Sequence, residues 1–190
     1  MEIILASKSP RRREILTLMG ITDFSVLPAP DEETVTGLPP AETVERIAEG
    51  KAEAVARGQK NALVIAADTL VFLDGETLGK PKDENDAKRM LRALSGRCHE
   101  VYTGVCVMQG GRKKLAHERT LVRFRALTDG EIDDYVASGE PMDKAGAYGA
   151  QGRGAVLVEG IEGDFFNVMG LPACRLYLMM RELIDQGEQQ

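Results

Sequence analysis

Apolar positions along the chain switch between runs suited to strands and spacings suited to helices. Ile3 to Ala6 is a short apolar run and predicts a strand. Ser9-Pro10 follows, with Ser as a good N-cap and Pro suited to the first helical position. Ile15, Leu16, Leu18 and Met19 give that helix its apolar side, and Gly20 can close it. Phe24 to Leu27 predicts a second strand. Pro28, Pro30, Gly37, Pro39 and Pro40 then mark a loop that carries the acidic run Asp31-Glu32-Glu33. From Thr43 to Ala56, Val44, Ile47, Ala48, Ala52 and Val55 recur at helical spacing. Ala62 to Ala67 is unbroken apolar sequence, as expected of a central strand buried on both faces. Asp68-Thr69 stands at its end, before Leu70 to Leu73, an Asp74-Gly75 turn and Thr77-Leu78.

Asp83 to Leu94 predicts a helix with Met90, Leu91 and Leu94 inward and Gly96 as its stop. Val101 to Met108 and Leu115 to Phe124 predict a strand pair joined across Gly110-Gly111. Thr128 and Glu131 have the spacing of a capping box for a helix reaching Ala137. Gly146, Gly149, Gly152 and Gly154 form a glycine-rich segment, Ala155 to Val158 predicts a strand, and Leu171-Pro172 opens a final helix to about Ile184. This alternation points to an α/β fold with a mixed sheet. With no internal repeat or long linker, the 190 residues read as a single domain.

Composition narrows the classes. Hydrophobic residues make up 43% and charged residues 28%, ordinary globular values that exclude a disordered chain. No apolar run approaches the roughly 18 residues of a membrane span. The start lacks a basic segment ahead of an apolar core, so a cytoplasmic protein is expected. Lys plus Arg is 24 against 30 for Asp plus Glu, a net charge of -6 that argues against nucleic-acid binding. Cys98, Cys106 and Cys174 have no CxxC spacing and read as buried, reduced thiols. His99 and His117 leave little room for a Ser-His-Asp or Cys-His machine.

The candidate chemistry lies elsewhere. Ser7-Lys8-Ser9-Pro10-Arg11-Arg12-Arg13 crowds four basic residues onto a helix N-terminus, where cations are disfavoured. A bound anion, phosphate first, would resolve that conflict; a solvated basic turn is the alternative. Asp68 at a strand end could bind a metal, act as a base, or be satisfied by loop amides. Lys80, in Gly79-Lys80-Pro81-Lys82-Asp83, could contact phosphate, and Asp83 could equally be only an N-cap. The Asp31-Glu32-Glu33 run offers hard oxygens suited to Mg²⁺, or is simply solvated. Gln151 carries both a donor and an acceptor and could read a base edge, or lie on a plain glycine-rich turn. Phe165, Phe166 and Tyr148 read as core or pocket wall.

Seven motifs occur in order: Ser7-Lys8-Ser9-Pro10-Arg11-Arg12, Ala67-Asp68-Thr69, Gly79-Lys80-Pro81, Leu94-Ser95-Gly96, Thr103-Gly104-Val105, Asp143 to Gly149, and Asn167-Val168-Met169-Gly170-Leu171-Pro172. On these the chain closely resembles the Maf family of nucleoside triphosphate pyrophosphatases, over about residues 3 to 180. The resemblance implies a central mixed, twisted sheet flanked by helices, like that of inosine triphosphate pyrophosphatases. It also implies two lobes around a nucleotide-binding cleft, a homodimer, and a divalent cation (Mg²⁺ or Mn²⁺). The implied reaction converts a nucleoside triphosphate to the monophosphate and pyrophosphate. Asp143 to Gly152 matches the D-K-A-G-A-Y-G-I-Q-G stretch of the subgroup acting on dTTP and UTP, with Ala150 in place of Ile.

By resemblance Asp68 is the proton acceptor, and Arg11, Thr69 and Gln151 fall where the family reads the base. Ser7, Arg12, Glu32, Lys51, Lys80 and Asp83 match the polar shell around phosphates and metal, with Glu32 and Asp68 as metal ligands. Gly50, just before Lys51, departs from the usual longer side chain and costs its helix about 1 kcal/mol relative to Ala. Two other readings stay open: a 7-methyl-GTP pyrophosphatase of the same family, and a nucleotide-binding regulator of cell division that needs no turnover.

Overall fold

The computed structural model describes residues 2–30, 35, 37–59 and 61–188. Its strands are β1 (Ile3–Leu5), β2 (Ser25–Val26), β3 (Leu63–Leu73), β4 (Glu76–Leu78), β5 (Cys98–Gln109), β6 (Arg112–Phe124) and β7 (Val158–Glu162). Its helices are α1 (Pro10–Leu18), α2 (Pro40–Ala56), α3 (Glu84–Leu94), α4 (Asp129–Ala137), α5 (Phe165–Met169) and α6 (Ala173–Glu188). The sheet order is β2-β1-β3-β5-β6-β7, with β4 paired to β3. β1 runs parallel to β2 and β3, whereas the β3–β4 and β6–β7 pairs are antiparallel, so the expected mixed sheet is present. No helix among the described residues is long and apolar enough to cross a membrane.

The chain divides into two compact units. The first comprises residues 1–68, 103–118 and 170–190, and the second comprises 69–102 and 119–169. In the first unit, side-chain alternation along β1 and β3 puts Ile4, Ala6, Val64 and Ala66 on one face. They pack with Ala48, Ala52 and Val55 of α2. Leu5, Leu63 and Ile65 point the other way and are fully buried too. A strand buried on both faces must be apolar throughout, which is why Ala62 to Ala67 has no polar break. In the second unit α3 brings Ala87, Met90, Leu91 and Leu94 to a core shared with Val122, Phe124, Ile132, Tyr135 and Tyr148.

Locally capped helices fall where the sequence places them. Ser9 caps α1, with its Oγ accepting from Arg12 N–H at 3.4 Å and Pro10 at the first position. Thr128 and Glu131 form the complete capping box of α4. Asp74 (φ 50°) and Gly75 (φ 88°) make the tight turn between β3 and β4.

Six expectations need correction. Asp68 is not at a strand end: β3 runs on to Leu73, because Val71, Phe72 and Leu73 pair with β4. Ala155 to Val158 is not a strand; residues 152–157 form 3₁₀ turns and β7 starts at Val158, since the Arg153 and Gly154 N–H groups bond a side chain rather than a neighbouring strand. β2 keeps only Ser25–Val26 of the expected four residues, because its pairing with β1 spans just those two. Leu18 is exposed, and Ile15 and Leu16 alone are the fully buried residues of α1. Cys106 is buried as expected, whereas Cys98 and Cys174 are exposed. The short helix α5 had no sequence signal, and its Phe165 is exposed rather than core.

Candidate functional site

β1 ends at Leu5, and the chain turns through Ser7 into the N-terminus of α1. Ser7 is buried, and its Oγ accepts from Ser9 N–H at 3.2 Å and from Arg12 Nη1 at 3.1 Å. Arg12 Nε donates to the Gly170 carbonyl at 2.8 Å, so the guanidinium is oriented from two sides. Arg11 lies beside it in the first turn of α1, half-buried. The first turn of α1 contains no acidic residue, so its dipole suits an anion.

β3 lies next to β1 in parallel register, Leu5 opposite Ile65, and Ala6 N–H continues the ladder to the Ile65 carbonyl at 2.8 Å. Carried on by the same register, Ser7 falls opposite Ala67, the residue before Asp68. Ligands of α/β sheets gather beyond the carboxyl ends of parallel strands, and β1 ends here.

Asp68 follows the even-numbered alternation of Val64 and Ala66 and so faces α2. Lys51 of α2 meets it there, Nζ to Oδ1 at 2.7 Å, with only 11% of the lysine side chain and 12% of the aspartate side chain exposed. α2 can sit this close because Gly104 of β5 has no side chain. A Cβ there would overlap the Val44 carbonyl and stand 2.7 Å from Glu45 N. The first unit therefore holds Ser7, Arg11, Arg12, Lys51 and Asp68.

Thr69, Lys80, Asp83 and Gln151 belong to the second unit. Lys80 and Gln151 are exposed. The Gly79 carbonyl accepts from Gly146 N–H at 3.0 Å, which ties the Gly79-Lys80-Pro81 motif to the glycine-rich segment. Gly146 (φ 69°) is required there, because a Cβ would come within 2.9 Å of the Val71 side chain. Asp83 caps α3, its Oδ1 accepting from Asp86 N–H at 2.8 Å, so it has a structural task whatever else it does. Asn167 is structural too, its Nδ2 donating to the Val101 carbonyl and to Thr120 Oγ1. Glu32 and the rest of the acidic run at 31–33 lie outside the described residues. Among the described residues no group of three or more His, Cys, Asp or Glu could by itself hold a metal ion.

Two side chains around the glycine-rich segment escaped the sequence reading. Glu140 accepts from Tyr135 Oη, Gly154 N–H and Arg153 N–H, and Tyr135 Oη accepts from Gly149 N–H at 3.1 Å. Apart from the bond between the two, their partners are backbone groups, which leave no residue pattern to find. Tyr148 is buried and bonds His99 Nε2 at 2.7 Å, with Phe124 packed edge-on against both rings.

A family model described as Maf-like protein matches residues 2–183. A protein of Aquifex aeolicus named dTTP/UTP pyrophosphatase is 53% identical over 183 residues, covering 96% of each chain. One of the same name from Moorella thermoacetica is 56% identical over 174 residues, covering 90% of this chain and 89% of its own. Among solved structures, the Ham1 protein of Staphylococcus aureus shares the fold, with a TM-score of 0.51 at 19% identity over 83% of this chain and 80% of that one.

Proposed function

This chain belongs to the Maf family, and from that premise we propose that it hydrolyses dTTP and UTP to the nucleoside monophosphate and pyrophosphate, as a cytoplasmic homodimer. The observation that carries the reading is the buried Asp68–Lys51 pair next to the Ser7–Arg12 turn. A carboxylate that accepts a proton and a cationic cradle that accepts phosphate are what phosphoryl transfer asks of a protein. The names of the similar proteins supply the substrate class.

In this proposal Ser7, Arg12 and the first N–H groups of α1 hold the triphosphate, with Lys80 and Asp83 as further polar contacts. Arg12 is already restrained by Gly170 and Ser7, so little side-chain freedom remains to be lost on binding. Lys51 holds Asp68 Oδ1, and Asp68 orients a water toward the α-phosphorus and accepts its proton. The bond from the α-phosphorus to the bridging oxygen breaks, and pyrophosphate leaves.

A divalent cation fits the donors present, since Asp68 brings hard carboxylate oxygens and Mg²⁺ commonly takes one or two carboxylates together with substrate phosphates. Bound by Asp68 and Glu32, Mg²⁺ or Mn²⁺ would neutralise charge on the phosphate oxygens. Arg11, Thr69 and Gln151 are assigned to the base. Uracil and thymine present an N3–H donor between two carbonyl acceptors, and the Gln151 amide can match that edge.

The test is a product assay with Mg²⁺ and dTTP, UTP, CTP, GTP, ATP and 7-methyl-GTP, resolved by anion exchange. Monophosphate and pyrophosphate from dTTP and UTP are expected. Turnover of 7-methyl-GTP alone would keep the reaction and overturn the base assignment. Diphosphate with phosphate, or binding without turnover, would overturn the reaction itself. Sedimentation at twice the chain mass is the expected reading for the homodimer.

A further inference from the structure

Gln151 sits between Gly149 and the 3₁₀ turns of residues 152–157, at their N-cap position. Between Gly149 and Gly154 the backbone is held by side chains. Glu140 Oε1 accepts from Gly154 N–H at 3.0 Å and from Tyr135 Oη at 2.9 Å, and Oε2 accepts from Arg153 N–H at 3.0 Å. Tyr135 Oη in turn accepts from Gly149 N–H at 3.1 Å. One carboxylate and one phenol thus tie down both ends of the segment that presents Gln151. The loop also wraps them closely. A Cβ at Gly152 (φ 80°) would stand 3.0 Å from Glu140 Oε2, and one at Gly154 would stand 2.6 Å from Tyr135 Oη. Burial alone would push the Glu140 carboxyl up; the Arg153 and Gly154 N–H groups and the Tyr135 hydroxyl outweigh it and hold the group below the usual glutamate range. The clamp is therefore charged at neutral pH.

We propose that Glu140 is a positioning residue for base selectivity: by gathering the backbone of residues 149–154 it fixes where Gln151 meets the base. The inference rests on the assignment of Gln151 to the base made above. An amide read end-on is ambiguous, because a flip exchanges its donor and acceptor. Uracil offers a donor beside an acceptor, and cytosine offers the reverse, so a loosely held glutamine serves both. Discrimination requires that the loop hold the amide in one pose, and Glu140 is the group on which that loop converges.

Glu140→Gln keeps the shape and replaces one oxygen by NH₂, so a loop N–H then faces a donor. The measurement is kcat/KM for UTP and for CTP in the wild type, Glu140→Gln, Gln151→Ala and the double variant, with thermal melting as the check on folding. Glu140→Gln is expected to lower the UTP-to-CTP ratio about tenfold, the scale of one misplaced hydrogen bond, chiefly through KM for UTP. In the Gln151→Ala background the same change should leave the ratio where it is. Equal losses on both nucleotides, or an unchanged ratio while Gln151→Ala lowers it, would overturn the positioning role and leave Gln151 as the base reader. An unchanged ratio in both single variants would overturn the Gln151 assignment, and the proposal with it. If Glu140→Gln fails to fold, Tyr135→Phe carries the test: it releases only the Gly149 tether, and a ratio lowered about threefold is expected. An unchanged ratio in Tyr135→Phe, with Gln151→Ala lowering it, overturns the proposal.

Discussion

Asp68 and Lys51 reach each other from elements that the sequence shows separately. Asp68 is legible as the first charge after an apolar run, and strand alternation then sends it to the α2 face. Lys51 has no comparable local signal, since its reason for being there lies 17 positions away. The two members of the pair are not equivalent. Removing the lysine leaves a nearly buried carboxylate without its counter-charge, whereas a lysine left alone can extend its long stem toward water. Lys51→Met is therefore expected to destabilise the protein by about 3 kcal/mol, and Asp68→Asn by clearly less. Denaturant midpoints for the two variants test that order. Activity should rank the other way: Asp68→Asn is expected to keep the fold and lose turnover by a factor on the order of 10² or more. Near-normal turnover in Asp68→Asn would mean that the water is activated by another group.

At the scale of elements, α2 is the lever that brings Lys51 to β3, and one glycine sets its height above the sheet. A Cβ at Gly104 has nowhere to go, because what it meets at Val44 and Glu45 is helix backbone rather than the end of a flexible side chain. Gly104→Ala is expected to cost about 1–3 kcal/mol, the usual range for overpacking, and to lower turnover as well. Lys51 lies about two helical turns from Val44 and moves with the helix. Gly50 is the control on the same helix. A Cβ there meets nothing within 4 Å, so Gly50→Ala should stabilise by about 1 kcal/mol. Urea titration of both variants checks the opposite signs, and a stable Gly104→Ala would mean that α2 is not seated by this contact. The contrast shows what sequence reading can reach. α1 and α4 begin where their caps are written, because a cap acts within four residues. β3 ends where β4 stops pairing, and residues 152–157 leave the strand conformation for a glutamate at position 140. Neither partner is visible from within the segment. The motif that contains Gly104 is easily read; its steric purpose is not.

For the whole molecule, acid is the condition that separates the buried polar groups from the exposed ones. Asp86, Glu131, Asp133 and Glu140 are held below their ordinary pKa values, Glu131 to about 2 through Arg125 and the Thr128 cap. Groups of that kind contribute stability above the carboxylate range and lose it progressively as pH falls from about 5 down through their lowered values. His99 acts earlier. It is buried, with one ring nitrogen on Tyr148 and Nδ1 without a hydrogen-bond partner among the described residues, and burial lowers its pKa from 6.5 to about 4. Between those values the unfolded chain takes up a proton that the folded chain refuses, so stability rises with pH across the window and falls as pH drops through it. The limiting slope for one such group is about 1.4 kcal/mol per pH unit. Urea midpoints for the wild type are therefore expected to decline from about pH 6.5 downward, before the carboxylates begin to titrate. His99→Gln retains a polar side chain for Tyr148 but cannot titrate, and should hold its midpoint down to about pH 5, where the carboxylates take over. Identical pH dependence in the two proteins would place the onset of acid unfolding in some group other than His99.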